Sequence, residues 1–344
     1  MEVKAPGVVK LLGEHAVVYG KLALAVAISM YAKVSTKETN GENIQIKLLN
    51  MRNSSYSFNE TELRQLFKSF KSRSSIKDYI KQNSSIDEIV LPYAAIASRL
   101  VWEYGPNPSG LNVSIESEIP LQKGVASSAA CSVAFTVAML NAYKISIDDK
   151  TVIDVARDGD RVIHQSEGAG AIDVSTSYYG GYVSYSGSRG ANKENIDTQM
   201  QLLLVDAGPK KSTAAMVEHV AELYRADKAH TEQLLNEMEK CSIEGIRALK
   251  ANDMGKLGSY MFAAHSILSQ LGVSSNGLDD FVAFARKNGF YGAKLSGGGG
   301  GGVAIGLCKD AVKMRALASK SGFKADTITT SLDGARGFYI NKAH

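Results

Sequence analysis

Apolar and polar positions sort this chain into short strands and amphipathic helices. Val3 to Leu12 reads as a strand bent at Pro6-Gly7, and residues 22–36 as a second, apolar and β-branched. Asn40-Gly41 predicts a hairpin turn into Ile44-Gln45-Ile46-Lys47-Leu48, whose alternation is strand-like. Residues 50–88 are polar and rich in Ser and Lys, which predicts a helix and loops in a surface insertion. Apolar spacing predicts a helix over 89–103, a strand over 111–115, a loop over 120–126 and helices over 127–143 and 149–165. Gly180-Gly181 breaks the segment 178–185, with a strand after it. The polar stretch Gly187 to Thr198 is the expected boundary between two domains, 1–188 and 189–344. Beyond it come a strand over 201–205 and helical stretches over 213–228, 231–250 and 252–270. A strand-loop-strand unit around a glycine run, a helix over 309–321 and a terminal strand at Phe338-Tyr339-Ile340 complete the reading.

Composition narrows the class. A length of 344 residues also suggests two domains, at roughly 100–200 residues each. An apolar content of 44% argues against wholesale disorder. The net charge is +4, but Lys and Arg are interleaved with Asp and Glu, so no nucleic-acid footprint stands out. No run of about 18 apolar residues predicts a membrane span, and the first residues predict no secretory signal. Cys131, Cys241 and Cys308 lie far apart, without the spacing of a metal knuckle or a disulfide framework, which fits a reducing cytosol. Glycine changes the picture: there are 32 against 6 prolines, and many are clustered.

The first cluster lies in Ile119-Pro120-Leu121-Gln122-Lys123-Gly124-Val125-Ala126-Ser127-Ser128-Ala129-Ala130, between a strand and a helix. Small residues let backbone N–H groups approach a ligand, and the helix N-terminus favours an anion. Ser127 and Ser128 add hydroxyls that reach a phosphate or a metal. The plain alternative is a serine cap on a tightly packed helix. The second cluster is Lys294-Leu295-Ser296 followed by Gly297 to Gly302. Six ordered glycines are costly in entropy, so something there needs the bare backbone. A flexible linker is the plain alternative, and the apolar strand directly after argues against it. A third element joins Ala5-Pro6-Gly7 to Gly13-Glu14-His15-Ala16-Val17-Val18-Tyr19-Gly20, and a fourth is Asp173 ahead of Tyr179-Gly180-Gly181. Alone, a Glu-His pair orders a loop and a lone Asp caps a turn. No GxSxG, HExxH or CxxC occurs, and the histidines other than His15 read as surface or satisfied core residues.

Together and in order, these elements resemble the small-molecule kinases of the galactokinase, homoserine, mevalonate and phosphomevalonate kinase (GHMP) superfamily. Within it, Gly13 to Gly20 and Ile267-Leu268-Ser269-Gln270-Leu271-Gly272-Val273-Ser274, with Leu278-Asp279 after, are similar to the mevalonate kinase family. The resemblance implies an α+β, GHMP kinase fold. Its N-terminal ATP-binding domain would be of the ribosomal-protein-S5-domain-2-like α/β type with a left-handed βαβ unit, and its C-terminal domain ferredoxin-like. It implies transfer of the γ-phosphoryl of ATP to the primary alcohol of mevalonate, with Mg2+, in a cytoplasmic homodimer. Asp173 would be the general base, since an alkanol is too weak an acid to attack unaided. Lys123, Gly124, Val125, Ala126, Ser127, Ser128 and Ala129 would hold ATP. Ser128 and Asp160 would hold the metal. Glu14, His15 and Thr213 would face the acceptor, and Ser296, Gly297, Gly298 and Gly299 would form the glycine-rich loop.

The chain departs from the family in three places. Val8 stands where the family has a lysine, and Lys10, two residues on and facing the same side of the strand, is the expected substitute. Asp160 falls where the family has Glu, and Glu167, in a short insertion, is the rival ligand. Ala126 carries a Cβ where glycine is usual. Acceptors other than mevalonate remain open, phosphomevalonate among them given Lys10, Lys210 and Lys211. A non-catalytic relative that binds nucleotide or metabolite also remains open.

Overall fold

The computed structural model describes residues 1–51, 53–105, 110–120, 124–209 and 211–340. The first sheet is built around a long central strand. β1 (Glu2–Leu12) pairs antiparallel with β2 (Ala23–Glu38) along almost its whole length. The register shifts at Pro6/Gly7, where the sequence predicts a bend, and again between Lys10 and Leu12. The other edge of β2 is shared by two partners. β3 (Ile44–Leu48), β4 (Ser54–Phe58) and β5 (Leu111–Ser117) continue the sheet beyond residues 32–38, with β5 against β2. β6 (Tyr182–Ser186) and β7 (Gly190–Lys193) continue it beyond residues 23–26. Asn40-Gly41 does not make the expected hairpin: β3 runs parallel to β5 and antiparallel to β4, so the chain leaves β2 and re-enters the sheet one strand away. The alternation of Ile44 to Leu48 identifies a strand but not its neighbour.

The second sheet comprises β8 (Gln201–Asp206), β9 (Gly292–Ser296), β10 (Val303–Leu307) and β11 (Lys324–Thr329), in the order β11-β8-β10-β9 and wholly antiparallel. Numbered along the chain, that order is 4-1-3-2, the split βαβ arrangement of ferredoxin-like domains.

Helices cover both sheets. α1 (Glu60–Ser72), α2 (Ile76–Gln82) and α3 (Leu91–Tyr104) lie between β4 and β5, and an Asn59-Glu62 capping box starts α1. α4 (Ser127–Ala142) is buried on nearly every side, which explains its small residues: an all-apolar helix belongs in a core. α5 (Asp149–His164) and α6 (Ala171–Tyr179) flank it. α7 (Thr213–Ala226), α8 (Lys228–Lys250), α9 (Met254–Gln270) and α10 (Asn276–Lys287) fill the connection from β8 to β9, and α11 (Ala311–Lys320) that from β10 to β11. Among the described residues no helix is long and apolar enough to cross a membrane.

Several elements escaped the periodicity. α6 is short, and Gly180-Gly181 beside it reads as a break, while α10, at 12 residues, is a helix the sequence reading does not predict. β7 is an exposed edge strand without apolar alternation, lying inside the polar stretch Gly187 to Thr198. β11 has two buried side chains among six residues. The terminal segment Phe338-Tyr339-Ile340 is not a strand: a 3-10 turn, Ala335–Phe338, ends in it, and its residues act as anchors. The buried Tyr339 hydroxyl donates to the Ile145 carbonyl at 3.0 Å and accepts from the Ile147 N–H at 2.9 Å. An apolar triplet can dock side chains without joining a ladder.

β9 is held by a close approach of two backbones. A Cβ at Gly258 of α9 would lie 1.9 Å from the Tyr291 carbonyl oxygen, and one at Gly292 would lie 2.3 Å from the Gly258 carbonyl oxygen. Helix and strand therefore touch main chain to main chain. Gly258→Ala should cost about 2 kcal/mol or more, because backbone rather than side chain must yield. A drop of roughly 4 °C or more in the thermal midpoint is expected. An unchanged midpoint would show that α9 shifts freely on β9.

Candidate active site

The site forms where β1, the starts of α4 and α6, and the β9–β10 loop meet. On β1, Val8 and Lys10 face the same side. Val8 is buried against Ala23, Ala25 and Ile172. Lys10 reaches past that patch, and its ammonium donates to Asp173 Oδ2 at 2.7 Å. Asp173 sits in the first turn of α6, where the helix dipole favours a carboxylate. Burial works against the Lys10 ammonium. The charge and hydrogen bond of Asp173 outweigh it, and the pKa lies above the ordinary 10.5. A raised lysine pKa keeps the pair's stabilisation intact below the unfolded value and loses it only as pH climbs through the folded one. Lys10 is therefore a fixed cation at neutral pH and not a base.

The loop before α4 crosses beside this pair. Val125 accepts the Val8 N–H at 3.0 Å, tying the loop to β1. Ala126 caps α4 in the left-handed region, at φ 55° and ψ 42°, so the conformation usual for glycine is kept despite the Cβ. Ser127 Oγ lies 3.3 Å from Ser117 Oγ, and Ser128 Oγ lies 3.1 Å from His164 Nε2. Ala129 is buried in the first turn behind them. Lys123 lies outside the described residues, as does Lys210.

The glycine run faces this loop. Gly297 stands opposite Gly124, with an added Cβ 3.7 Å from the Gly124 carbonyl oxygen. An added Cβ at Gly298 would meet Thr213 Cγ2 at 2.9 Å, and one at Gly299 the Val273 carbonyl oxygen at 2.1 Å. The run is fastened at Gly300 N–H to Val273 (2.8 Å) and at Gly302 N–H to Gly208 (3.0 Å), so it is no loose linker. His15 donates from Nε2 to the Gly298 carbonyl at 2.9 Å, and burial lowers its pKa, which keeps the ring neutral. Glu14 is 2% exposed, and its carboxylate pairs with the fully buried Lys294 ammonium.

Asp160 lies 2% exposed, and His164 Nε2 is 3.5 Å from its Oδ1. Burial pushes its carboxyl above the ordinary range and the like charge of Asp173 adds to that, against the opposing pulls of His164, Ser128 and Lys10. Oδ1 of Asp160 and Oδ1 of Asp173 are both buried without a hydrogen-bond partner among the described residues. Orphaned carboxylate oxygens beside a serine hydroxyl form a hard-oxygen donor set. It suits Mg2+, which takes one or two carboxylates and completes its shell with phosphate and water. Among the described residues no cluster of three His, Cys, Asp or Glu makes a ready cage. Glu167 is exposed instead and pairs with Arg73 at 3.0 Å.

Two participants, Lys294 and His164, escaped sequence reasoning. Lys294 stands just ahead of the glycine run, with nothing in the sequence to mark its burial. His164 follows Asp160 by four residues, one helical turn, and that spacing was the available signal. His265 is a satisfied core residue, as its helical surroundings suggest. It lies 2.9 Å from Asp279 Oδ1 and accepts the Leu295 N–H at Nδ1, bracing β9.

Facing glycine backbones, a helix N-terminus and a carboxylate held by a lysine are an arrangement compatible with phosphoryl transfer. Residues 91–181 match the GHMP kinases N terminal domain model and residues 246–321 the GHMP kinases C terminal model. Mevalonate kinase from Pyrococcus abyssi is 30% identical over 339 residues, 96% of each chain. Mevalonate kinase from Thermococcus sibiricus is 30% identical over 315 residues, 89% of this chain and 88% of that one. The chain belongs to the mevalonate kinase family of GHMP kinases, and it is a kinase acting on an alcohol. The crystal structure of L. major mevalonate kinase in complex with R-mevalonate shares the fold, with a TM-score of 0.75, 24% identity and 97% of each chain covered.

Left-handed geometry costs an L-residue about 1–2 kcal/mol, while glycine gives up about 0.5–1 kcal/mol of unfolded-chain freedom. Ala126→Gly should therefore raise the thermal midpoint by roughly 1–2 °C. A fall would mean that the methyl group's packing outweighs the strain.

Proposed function

We propose that this chain transfers the γ-phosphoryl group of ATP to the C5 hydroxyl of (R)-mevalonate. The observation that carries the reading is the Lys10–Asp173 contact of 2.7 Å beside the facing Gly124 and Gly297 backbones. The family's chemistry needs a base at the acceptor hydroxyl and a cation to balance developing charge, and this contact supplies both. Asp173 takes the hydroxyl proton at a carboxylate oxygen as the acceptor oxygen bonds to the γ-phosphorus and the bond from that phosphorus to the β,γ-bridging oxygen breaks, with ADP leaving. Lys10 keeps its charge and offsets the negative charge building at the acceptor oxygen. The Gly124–Ala129 backbone and the start of α4 cradle the phosphates, with Gly297–Gly299 closing the opposite side. Glu14, His15 and Thr213 line the acceptor side. Ser128 and Asp160 would hold Mg2+, which neutralises phosphate charge when bound.

The test is ADP release with Mg-ATP and a panel of mevalonate, phosphomevalonate, galactose, homoserine and shikimate. Turnover on mevalonate is expected, with kcat falling about 100-fold or more in Asp173→Asn and in Lys10→Met. Turnover on another acceptor alone would move the substrate assignment. Full activity in Lys10→Met would sink the idea that it replaces the lysine missing at Val8.

Asp160 gives a readout independent of turnover. A carboxyl whose folded pKa is raised costs stability at every pH above that value. Asp160→Asn should raise the thermal midpoint of the metal-free protein, while the further rise produced by Mg-ATP shrinks. A midpoint that falls without metal would show that Asp160 is a structural anchor.

A further inference from the structure

We propose that Lys294 is a positioning residue for phosphoryl transfer: acting through Glu14 and the backbone of Lys10, it fixes the Lys10 ammonium against Asp173 without touching either substrate. The inference rests on the roles given above to Lys10 and Asp173.

Lys294 is among the largest fully buried side chains of the protein. A buried ammonium is expensive unless every donor is used. Lysine has three donors, and here each finds an oxygen. One goes to Glu14 Oε1, one to the carbonyl of Leu295, and a longer contact of 3.5 Å reaches the carbonyl of Lys10. Two of the three partners lie on the segment that carries Lys10. The same strand grips Lys10 a second time, because the Lys10 N–H donates to Ser296 Oγ at 3.3 Å. Lys294 and Ser296 are two residues apart on β9, so they project from one face. That face holds the main chain of Lys10 at both its N–H and its C=O.

The consequence reaches the ammonium. Lys10 is the last residue of β1 in continuous register with β2 before the shift to Leu12, so the ladder holds its main chain on one side only up to the edge of an irregularity. The far end of the side chain is set by Asp173, which α6 fixes. The near end is set by Lys294 and Ser296. Fixing both ends of a flexible four-carbon stem removes the rotamers in which Lys10 misses Asp173. A well-packed apolar residue would fill the same volume with less desolvation, so stability alone does not call for this cation.

The test compares Lys294→Met, Glu14→Gln and the double variant Glu14→Gln/Lys294→Met with the wild type. The first readout is kcat and KM. The second is the rate at which acetic anhydride labels Lys10, measured by mass spectrometry against the exposed Lys256. In Lys294→Met, kcat should fall about 30-fold or more with KM for ATP within about threefold, and Lys10 labelling should rise several-fold. The double variant has no unpaired buried charge, so it should recover the thermal midpoint while Lys10 stays easily labelled and kcat stays low. A loss caused by Glu14 touching the acceptor would appear in the acceptor KM instead.

Recovery of kcat and of Lys10 protection in the double variant would overturn the proposal, leaving Lys294 as a neutralising charge. So would unchanged labelling in Lys294→Met. If that single variant fails to fold, the double variant carries the comparison. A wild type that turns over no acceptor would reject the proposed function, while the labelling of Lys10 still decides whether Lys294 positions it.

Discussion

The run Gly297–Gly302 passes between the start of α7 and the turn before α10 with no room for a Cβ at Gly298, Gly299 or Gly300, and the site takes its geometry from that passage. Five of the six residues have φ in the left-handed region. At Gly299 and Gly300 an L side chain would meet both a steric and a conformational penalty. The entropic cost of so much glycine is offset by main-chain hydrogen bonds to Val273 and Gly208. The result is a bare peptide surface facing the loop before α4. Strand β9, which delivers the run, is placed by the same device one layer deeper, where Gly258 and Gly292 let helix and strand touch.

Charge at the seam is arranged on a different principle. Lys10, Lys294, Glu14, Asp160 and Asp173 gather in a small, largely buried volume. Two cations face three anions, and carboxylate oxygens of Glu14, Asp160 and Asp173 lack hydrogen-bond partners among the described residues. A core designed only for stability would satisfy every such atom. The unspent acceptors are the feature that the proposed roles of Asp173 toward a proton and Asp160 toward a cation would use. Elsewhere buried charge is fully engaged: Asp158, buried in α5, takes Arg99 at 2.9 Å and Arg161 at 2.6 Å.

Much of this was legible in the residues. The first strand with its bend, the helices flanking the phosphate loop and the strands around the glycine run all announce themselves by periodicity and punctuation. Lys10 could be placed beside Val8 by strand alternation alone. Other parts were not legible, for physical reasons. The pairing of β3 with β5 depends on what α1–α3 fold against, which no local pattern encodes. The short α6 carries too few turns for a hydrophobic stripe to stand out. Burial of Lys294 follows from two sheets meeting, and a lysine in sequence looks like any surface lysine. The left-handed Ala126 inverts the usual inference from composition, since the backbone demand persists where the residue that would advertise it is missing.

The contacts that complete the site are also among the most distant in the chain. Lys10 meets Asp173 across 163 positions, Glu14 meets Lys294 across 280, His15 meets Gly298 across 283, and Lys10 meets Ser296 across 286. On a ribosome Lys10 is made long before Ser296 and Lys294, so its strand has no second clamp until β9 follows. The first sheet can pair earlier, because β2, β5 and β6 are all complete by Ser186. A nascent chain stalled before β9 would therefore hold a folded sheet with Glu14 still lacking its cation. When β9 docks, Glu14 gains the Lys294 ammonium and the Lys10 main chain gains Ser296 in the same step. Such high sequence separation slows folding and makes the ordering of the site a distinct final event.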